Sequence, residues 1–138
     1  MRKLKMKALY SIASVLVVLF LAGCSSLLSD SRSPEEIVAQ RAQAWADALL
    51  AGSLEGAYEY TSPGYRQFAS VGWYNARIAG AGRWSAAEVE SVECEPELCN
   101  VVIWVEYRVE HLDVDVRRPR EYRWIYSDNN WWLYVSPQ

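Results

Sequence analysis

Three cysteines are the residues of this chain best suited to covalent chemistry, and two of them lie close together. Cys94 and Cys99 enclose the segment EPEL, so four residues separate the two thiols. A structural zinc site needs about four ligands, whereas the chain offers these thiols and a single histidine, His111. Dithiol redox motifs have two intervening residues rather than four. The spacing leaves a structural disulfide or free thiols, with metal or redox chemistry as the weaker interpretation.

The third cysteine, Cys24, follows a stretch with the layout of a secretory signal. The chain begins MRKLKMK and continues with an apolar run of about 16 residues, ALYSIASVLVVLFLAG. A positive start, a short apolar core and small residues before a cleavage point are typical of exported proteins. The run is shorter than the roughly 20 residues that a membrane-spanning helix requires. A cleaved signal is therefore favoured over a permanent anchor.

The sequence LAGC, which ends at Cys24, resembles the lipobox of bacterial lipoproteins. The resemblance implies a signal peptide over residues 1–23, lipidation of the Cys24 sulfur, and a polar tether over residues 24–33. In such lipoproteins an aspartate after the cysteine favours the inner membrane, and here Ser25 stands at that position. The prediction is a protein held in the outer membrane by its acyl chains, with its domain facing the periplasm.

Export also changes the interpretation of the cysteine pair. Disulfides form and persist outside the cytoplasm, so Cys94 and Cys99 become first of all a disulfide candidate. The flanking segments AAEVESVE and NVVIWVEYRVE have the pattern of strands, and Pro96 is a turn former between them. Cysteines on either side of a four-residue hairpin loop can face each other at bridging distance. We expect a structural disulfide that fixes the register of this hairpin.

The charge of the chain excludes one class of partner. All three lysines and Arg2 lie in the signal, so the residues from Cys24 onward keep 10 of the 14 basic side chains against all 17 acidic ones. The net charge of this part is near −7. Binding of nucleic acid depends on a basic footprint, and binding of anionic lipid depends on a basic surface. Neither is expected of the folded domain.

The elements that position these residues begin with a helix after Ser33. Ser33 and Glu36 match a capping box, and Gly52 marks the end of the helix. Ser53 predicts a second, shorter helix over LEGAYEY, and residues 65–84 predict a short helix or irregular segment ending in a glycine-rich loop. The apolar face of the first helix comprises Val38, Ala42, Trp45 and Leu49.

From Trp84 onward the pattern is that of strands. REYRWIYS and WWLYV follow VVIWVEYRVE as further strands, with turns at HLDVDVRRPRE and DNN. We predict a single α+β domain over residues 34–138, with N-terminal helices packed on an antiparallel sheet of about four strands. The predicted core face of the central strand comprises Val101, Ile103, Val105, Tyr107 and Val109.

The helix-first order, the segments QAWADAL and GSLEGAYEYTSP, and the final pair YRWIYSDNNWWLY resemble the nuclear transport factor 2-like superfamily. The resemblance covers residues 34–135 and implies a strongly curved sheet around the long helix, with a pocket at the open end of this cone. Some members are isomerases, dehydratases or SnoaL-like cyclases, and many others bind ligands or proteins without catalysis. The isomerase site needs an aspartate base with a tyrosine and a protonated acid, a set that cannot be matched here position by position.

Charged residues near the predicted turn supply the candidate polar sites. His111 and Asp113 have the residue types of an acid–base pair, although a solvated hairpin end is the simpler interpretation. Asp113 and Asp115 offer too few oxygen donors for calcium. Four neighbouring arginines would suit an acidic partner or lipopolysaccharide phosphate, or balance nearby carboxylates across a hairpin. They are Arg117, Arg118, Arg120 and Arg123.

Trp104 and Trp132 are candidates for contact with a partner or an apolar ligand, because both fall on partly covered strand faces. The leading hypothesis is a non-catalytic envelope lipoprotein, attached through Cys24, whose domain binds an envelope protein or an apolar ligand. The alternative is a SnoaL-like isomerase or dehydratase using pocket tyrosines with aspartate or His111, and a third is an architectural subunit of an envelope complex. No metal, cofactor or catalytic set is predicted.

Overall fold

The first helix, α1, spans Pro34–Leu50 and has a well-defined beginning and end. The Ser33 hydroxyl accepts a hydrogen bond from the Glu36 backbone N–H at 3.2 Å, and the Glu36 carboxylate accepts one from the Ser33 N–H at 3.0 Å. At the other end Gly52 has φ +72°, and the Ser53 N–H donates to the Ala48 carbonyl at 2.9 Å. The contacts at Gly52 and Ser53 are those of a Schellman motif. The hydrogen bonds at Ser33 confirm the predicted capping box, and the Schellman motif confirms the predicted end of the helix.

Three short helices and a 3-10 turn follow α1. They are α2 over Leu54–Tyr58, α3 over Pro63–Phe68, α4 over Val71–Arg77 and the 3-10 turn over Ala81–Arg83. The α-helices are capped by Ser53, Ser62 and Ser70, each of which accepts a backbone N–H. Helices of five to seven residues are too short to display a helical repeat. Residues 65–84, interpreted as a short helix or irregular segment, therefore contain more helix than the repeat indicated.

The second half of the domain is one antiparallel sheet of four strands in the order β1-β2-β3-β4. The strands are β1 over Trp84–Glu95, β2 over Leu98–Val109, β3 over Val114–Ser127 and β4 over Asn130–Leu133. The register shifts twice along β1, which increases local bend and twist. The outer edge of β4 is covered, because the Leu133 N–H donates to the Tyr60 carbonyl at 2.8 Å. The predicted α+β class is confirmed.

Strand β3 is longer than predicted. The segment HLDVDVRRPRE was expected to be a turn, but the strand begins at Val114 and only residues 110–113 form the turn. Pro119 lies inside the strand opposite Trp104, where a proline normally interrupts a sheet. It is tolerated because β4 pairs only with residues 124–127, which leaves the other side of β3 without a neighbouring strand at Pro119.

The core lies between α1 and one face of the sheet, called the inner face below. Trp45 is its centre: the indole N–H donates to the Tyr74 hydroxyl at 2.7 Å, and the ring packs edge-on against Tyr122 and Trp84. Burial raises the pKa of Tyr74, with the hydrogen bond from Trp45 acting in the opposite direction. The members that are fully buried include Val38, Ala42, Trp45, Val101, Ile103, Val105 and Trp124.

Cys94 and Cys99 lie directly opposite each other on β1 and β2. Their sulfur atoms are 1.99 Å apart and their Cα atoms 4.0 Å apart, which supports the predicted pairing. The connection differs from the expected four-residue loop, because Glu95 and Leu98 also pair and only Pro96 and Glu97 form the turn. The cysteines are therefore strand residues, one step inside the hairpin.

The structure describes residues 31–78 and 80–136. Cys24, the predicted signal peptide at 1–23 and the predicted tether as far as residue 30 lie outside these ranges. Within them, none of the helices has the length and apolar character needed to cross a membrane.

Candidate functional site

The sheet extends beyond the helix that covers it. Helix α1 has 17 residues and is about 26 Å long, whereas the 12 residues of β2 extend over about 40 Å. Along the inner face of β2, Val101 and Val105 are fully buried, while Tyr107 and Val109 are only half-buried. The uncovered end forms a cleft of about 580 Å³. This cleft is the candidate site.

One wall of the cleft is aromatic and firmly held. Trp84, the first residue of β1, lies opposite Tyr107 of β2 in the sheet register. The Trp84 ring is packed edge-on against the buried Trp45, with 6.3 Å between centroids. The Trp84 and Tyr107 rings both line the cleft. An aromatic surface supported from behind by the core can receive an apolar group without rearranging.

Two arginines supply positive charge to the same cleft. Arg83 ends the 3-10 turn before Trp84, and Arg120 lies on the inner face of β3 opposite Ile103. Neither forms an ion pair with another residue that the structure describes. Burial raises the pKa of Tyr122 to about 12, and the Arg120 charge lowers it in part. The cleft therefore combines aromatic surface with two guanidinium groups that have no ion-pair partner among the described residues, and one carboxylate, Glu110, also lines it.

His111 lines the rim of this cleft but is not paired with Asp113. The Asp113 carboxylate is bound to Arg108, and Asp115 is bound to the same guanidinium at 3.1 Å. The acid–base pair considered from the sequence is therefore not assembled here. Within residues 31–78 and 80–136, no cluster of three or more histidine, cysteine, aspartate or glutamate side chains is placed to hold a metal ion.

The arginine cluster predicted from the sequence is divided between the two faces of the sheet. Arg117 lies on the outer face, where its guanidinium carbon is 5.2 Å from the Trp104 ring centroid. Two of its guanidinium nitrogens, Nη2 and Nε, lie 3.7 Å from a carboxylate oxygen of Glu88 and of Glu106, respectively. Because side chains alternate along a strand, Arg118 and Arg120 point to the inner face instead, opposite Val105 and Ile103. The cluster cannot act as one surface.

Trp132, the second predicted aromatic contact, is held by neighbours in the same chain. Its indole N–H donates to the Ser127 carbonyl at 3.0 Å. The guanidinium carbons of Arg41 and Arg66 lie 5.5 and 5.4 Å from the ring centroid. Trp104 is likewise half-buried beside Arg117. Structural contacts account for both tryptophans, and a ligand or partner at either remains a prediction.

Arg83, Trp84 and Tyr107 are among the cleft residues that were not predicted from the sequence as site residues. Tyr107 was assigned to the correct strand face, but as a core residue. The available signal was the length of that face, because a strand pattern of more than ten residues exceeds what a 17-residue helix can cover. Arg83 gave no such signal, since its position depends on the 3-10 turn.

Comparison with known proteins gives no family assignment. No family model matches the chain, and no curated protein matches it. Among solved structures it is similar to a Campylobacter jejuni protein assigned as an NTF2-like transpeptidase, with 9% identity, a TM-score of 0.47, and coverage of 70% of this chain and 96% of that one. It is also similar to a SEC-C motif protein from Rhodopseudomonas palustris, with 16% identity, a TM-score of 0.49, and coverage of 81% and 85%. Both scores are below 0.5, so the fold class rests on this chain's own elements.

Proposed function

We propose that this protein is an envelope lipoprotein whose domain binds a ligand without transforming it, and that the ligand occupies the inner-face cleft. The observation that carries the proposal is the composition of the cleft. Arg83 and Arg120, which have no ion-pair partner among the described residues, share it with the aromatic pair Trp84 and Tyr107. Guanidinium groups beside apolar surface favour a ligand with an acidic group on an apolar body.

The cellular setting belongs to the same proposal. The N-terminal charge, the short apolar run and LAGC ending at Cys24 support export, lipidation and anchoring in the outer membrane. The cysteine pair, with its sulfurs at bonding distance, fits an oxidising compartment. Helices followed by a four-stranded antiparallel meander support assignment to the nuclear transport factor 2-like superfamily.

Ligand binding is tested with 2-naphthalenesulfonate, which joins an aromatic body to a permanent negative charge. The intact lipidated chain in detergent micelles is titrated calorimetrically, with empty micelles as the blank and the neutral naphthalene-2-sulfonamide as the comparison ligand. We expect the sulfonate to bind more tightly than the sulfonamide. Arg120→Gln should weaken sulfonate binding about tenfold, because a hydrogen bond to a charged group contributes about 1.5–3 kcal/mol.

The matched control is Arg117→Gln, three positions away on the outer face of the same strand. It removes the same charge from the protein but leaves the cleft intact, so the preference for the sulfonate should persist. Equal losses in the two variants would mean that net charge, not the cleft, determines affinity. No binding of the sulfonate above the micelle blank would count directly against the proposed site.

The anchor is tested separately by Cys24→Ala. The variant should remain an unprocessed precursor that lacks the acyl mass of the wild-type protein in an intact-mass measurement. Normal processing of Cys24→Ala would remove the lipoprotein part of the proposal and leave the cleft untouched.

A second function, a small-molecule isomerase or dehydratase, is favoured by one observation: His111 lines the cleft together with Tyr107. Against it, Thr61 is the single polar or charged member of the buried set among the described residues, and Trp45, Tyr74 and Trp124 fill the interior. The two functions differ in their dependence on His111. A substrate turned over by the wild-type protein and bound but not turned over by His111→Ala would establish the enzyme.

A further inference from the structure

A second surface, which shares no lining residue with the cleft, exposes large aromatic side chains. Phe68 ends α3 and Trp73 lies in α4, and their side chains are 68% and 59% exposed. Both helices are short and joined by Ala69 and Ser70. The two rings therefore project from one helix–turn–helix corner. Single exposed apolar residues are ordinary, but adjacent large aromatics on a small domain mark a contact surface.

The corner continues into two small depressions. The first, of about 180 Å³, is lined by Tyr65, Phe68, Trp73 and Arg77 among others. The second, of about 250 Å³, shares Arg77 with the first and includes Tyr134, which is 44% exposed. We call Phe68, Trp73, Arg77 and Tyr134 the aromatic corner.

The charge around the aromatic corner differs from that of the domain as a whole. The residues from Cys24 onward carry a net charge near −7, yet none of the residues that line the two depressions is acidic. Arg77 is the charged member, and its guanidinium carbon lies 6.0 Å from the Trp73 ring centroid. Tryptophan, tyrosine and arginine with an apolar stem are the side chains that suit the boundary between acyl chains and water.

We propose that the aromatic corner rests on the lipid surface to which the protein is anchored. This inference depends on the proposed lipidation of Cys24. Residues 24–33 can span at most about 33–36 Å, whereas α1 is about 26 Å long. The tether can therefore be longer than α1, which leaves the domain free to turn different sides toward the membrane. Contact would restrict the orientation of the domain relative to the bilayer.

The test uses the intact lipidated chain in phosphatidylcholine vesicles, with and without lipids brominated near the top of the acyl chains. Bromine quenches tryptophan fluorescence only at short range, so it reports which indole lies in the interface. We expect quenching in the wild-type protein and loss of most of it in Trp73→Phe. Trp104→Phe, which removes an indole from the outer face of the sheet, should keep the wild-type quenching.

A second variant tests the contact while leaving the reporter in place. Phe68→Glu introduces a charge at an exposed position and should reduce the quenching of Trp73, with the circular dichroism spectrum unchanged. Vesicle flotation separates the two proposals. A chain that floats but shows no quenching would overturn the aromatic corner while leaving the anchor intact, and a partner protein would then be the occupant to seek. A chain that fails to float would overturn the anchor and this inference together.

Discussion

The two halves of the inner face differ although they belong to the same strands. Toward the disulfide hairpin, Val101 and Ile103 are fully buried beneath α1. Toward the other end the same face of β2 presents Tyr107 and Val109, which are half-buried. Arg120 lies opposite Ile103 on β3 and is exposed, because no further strand pairs with β3 at that position. Strand alternation assigns the face in both halves, but only the length of α1 decides which half becomes core. The covered half stabilises the domain, and the open half has surface available for binding.

The sharpest test of this comparison substitutes the same residue type in each half of β2. Val101 is fully buried and Val109 half-buried, and both lie on the inner face. Val101→Ala should lower the free energy of unfolding by about 2–3 kcal/mol through lost burial and a residual cavity. Val109→Ala should lower it by less than about 1 kcal/mol. Both substitutions replace valine by alanine in the same strand and so lower its β-propensity equally. The difference between their unfolding free energies, measured by urea denaturation, therefore reports the burial that α1 provides at Val101.

Equal costs at the two positions would contradict the division of the inner face. In that case the cleft would be closed in solution by some other part of the chain, and the proposed binding site would be unavailable.

The disulfide lies at the covered end and should contribute to stability there. It closes a ring of only six residues, for which the chain-entropy model gives about 2 kcal/mol. The double variant Cys94→Ala/Cys99→Ala should therefore lose about 2 kcal/mol in urea denaturation. A reducing agent should lower wild-type stability by a similar amount and leave the double variant unchanged. Insensitivity of the wild-type protein to reductant would indicate that the hairpin is held by its strand pairing alone.

Tyr122 lies in the covered half, opposite Val101, and should make stability depend on alkaline pH. Burial raises its pKa to about 12, against an ordinary value near 10. A raised tyrosine pKa favours the neutral form in the folded protein, so its contribution is complete below pH 10 and is lost as pH rises toward 12. The advantage of wild type over Tyr122→Phe should shrink across this window, by at most about 1.4 kcal/mol per pH unit.

The matched control is Tyr134→Phe, which removes a hydroxyl from an exposed ring. Urea midpoints measured at intervals from pH 8 to 12 should separate the two variants. A constant difference between wild type and Tyr122→Phe across that range would show that Tyr122 is more accessible than its packing against Trp45 indicates.

Local rules explain why much of the fold could be predicted. The capping box at Ser33, the stop at Gly52 and the alternating faces of β2 each depend on residues within one element, and all three were predicted. The disulfide needed one further step, from the export signal to the redox compartment. Each of these inferences is independent of how distant parts of the chain pack.

The errors arise where distant packing decides the outcome. The start of β3 was missed because charged residues occupy both faces and Pro119 argues against a strand. That proline is acceptable only because β4 is short. The arginines were grouped by proximity in sequence, whereas the extended strand separates Arg117 from Arg120. The cleft itself follows from the unequal lengths of α1 and β2, which become apparent only when the two elements are compared with each other.

The smallest effects on stability are expected for the two arginine substitutions, Arg120→Gln and Arg117→Gln, which compare a binding residue with a structural one. Arg120 lines the cleft and has no ion pair among the described residues, so Arg120→Gln should change the free energy of unfolding by less than about 0.5 kcal/mol. Arg117 lies over Trp104 and near two carboxylates, and Arg117→Gln should cost up to about 1 kcal/mol. In sulfonate binding the order should reverse, because Arg120 and not Arg117 lines the cleft. If one of the two substitutions impaired both properties and the other impaired neither, ligand binding in the cleft would not be separable from the stability of the domain.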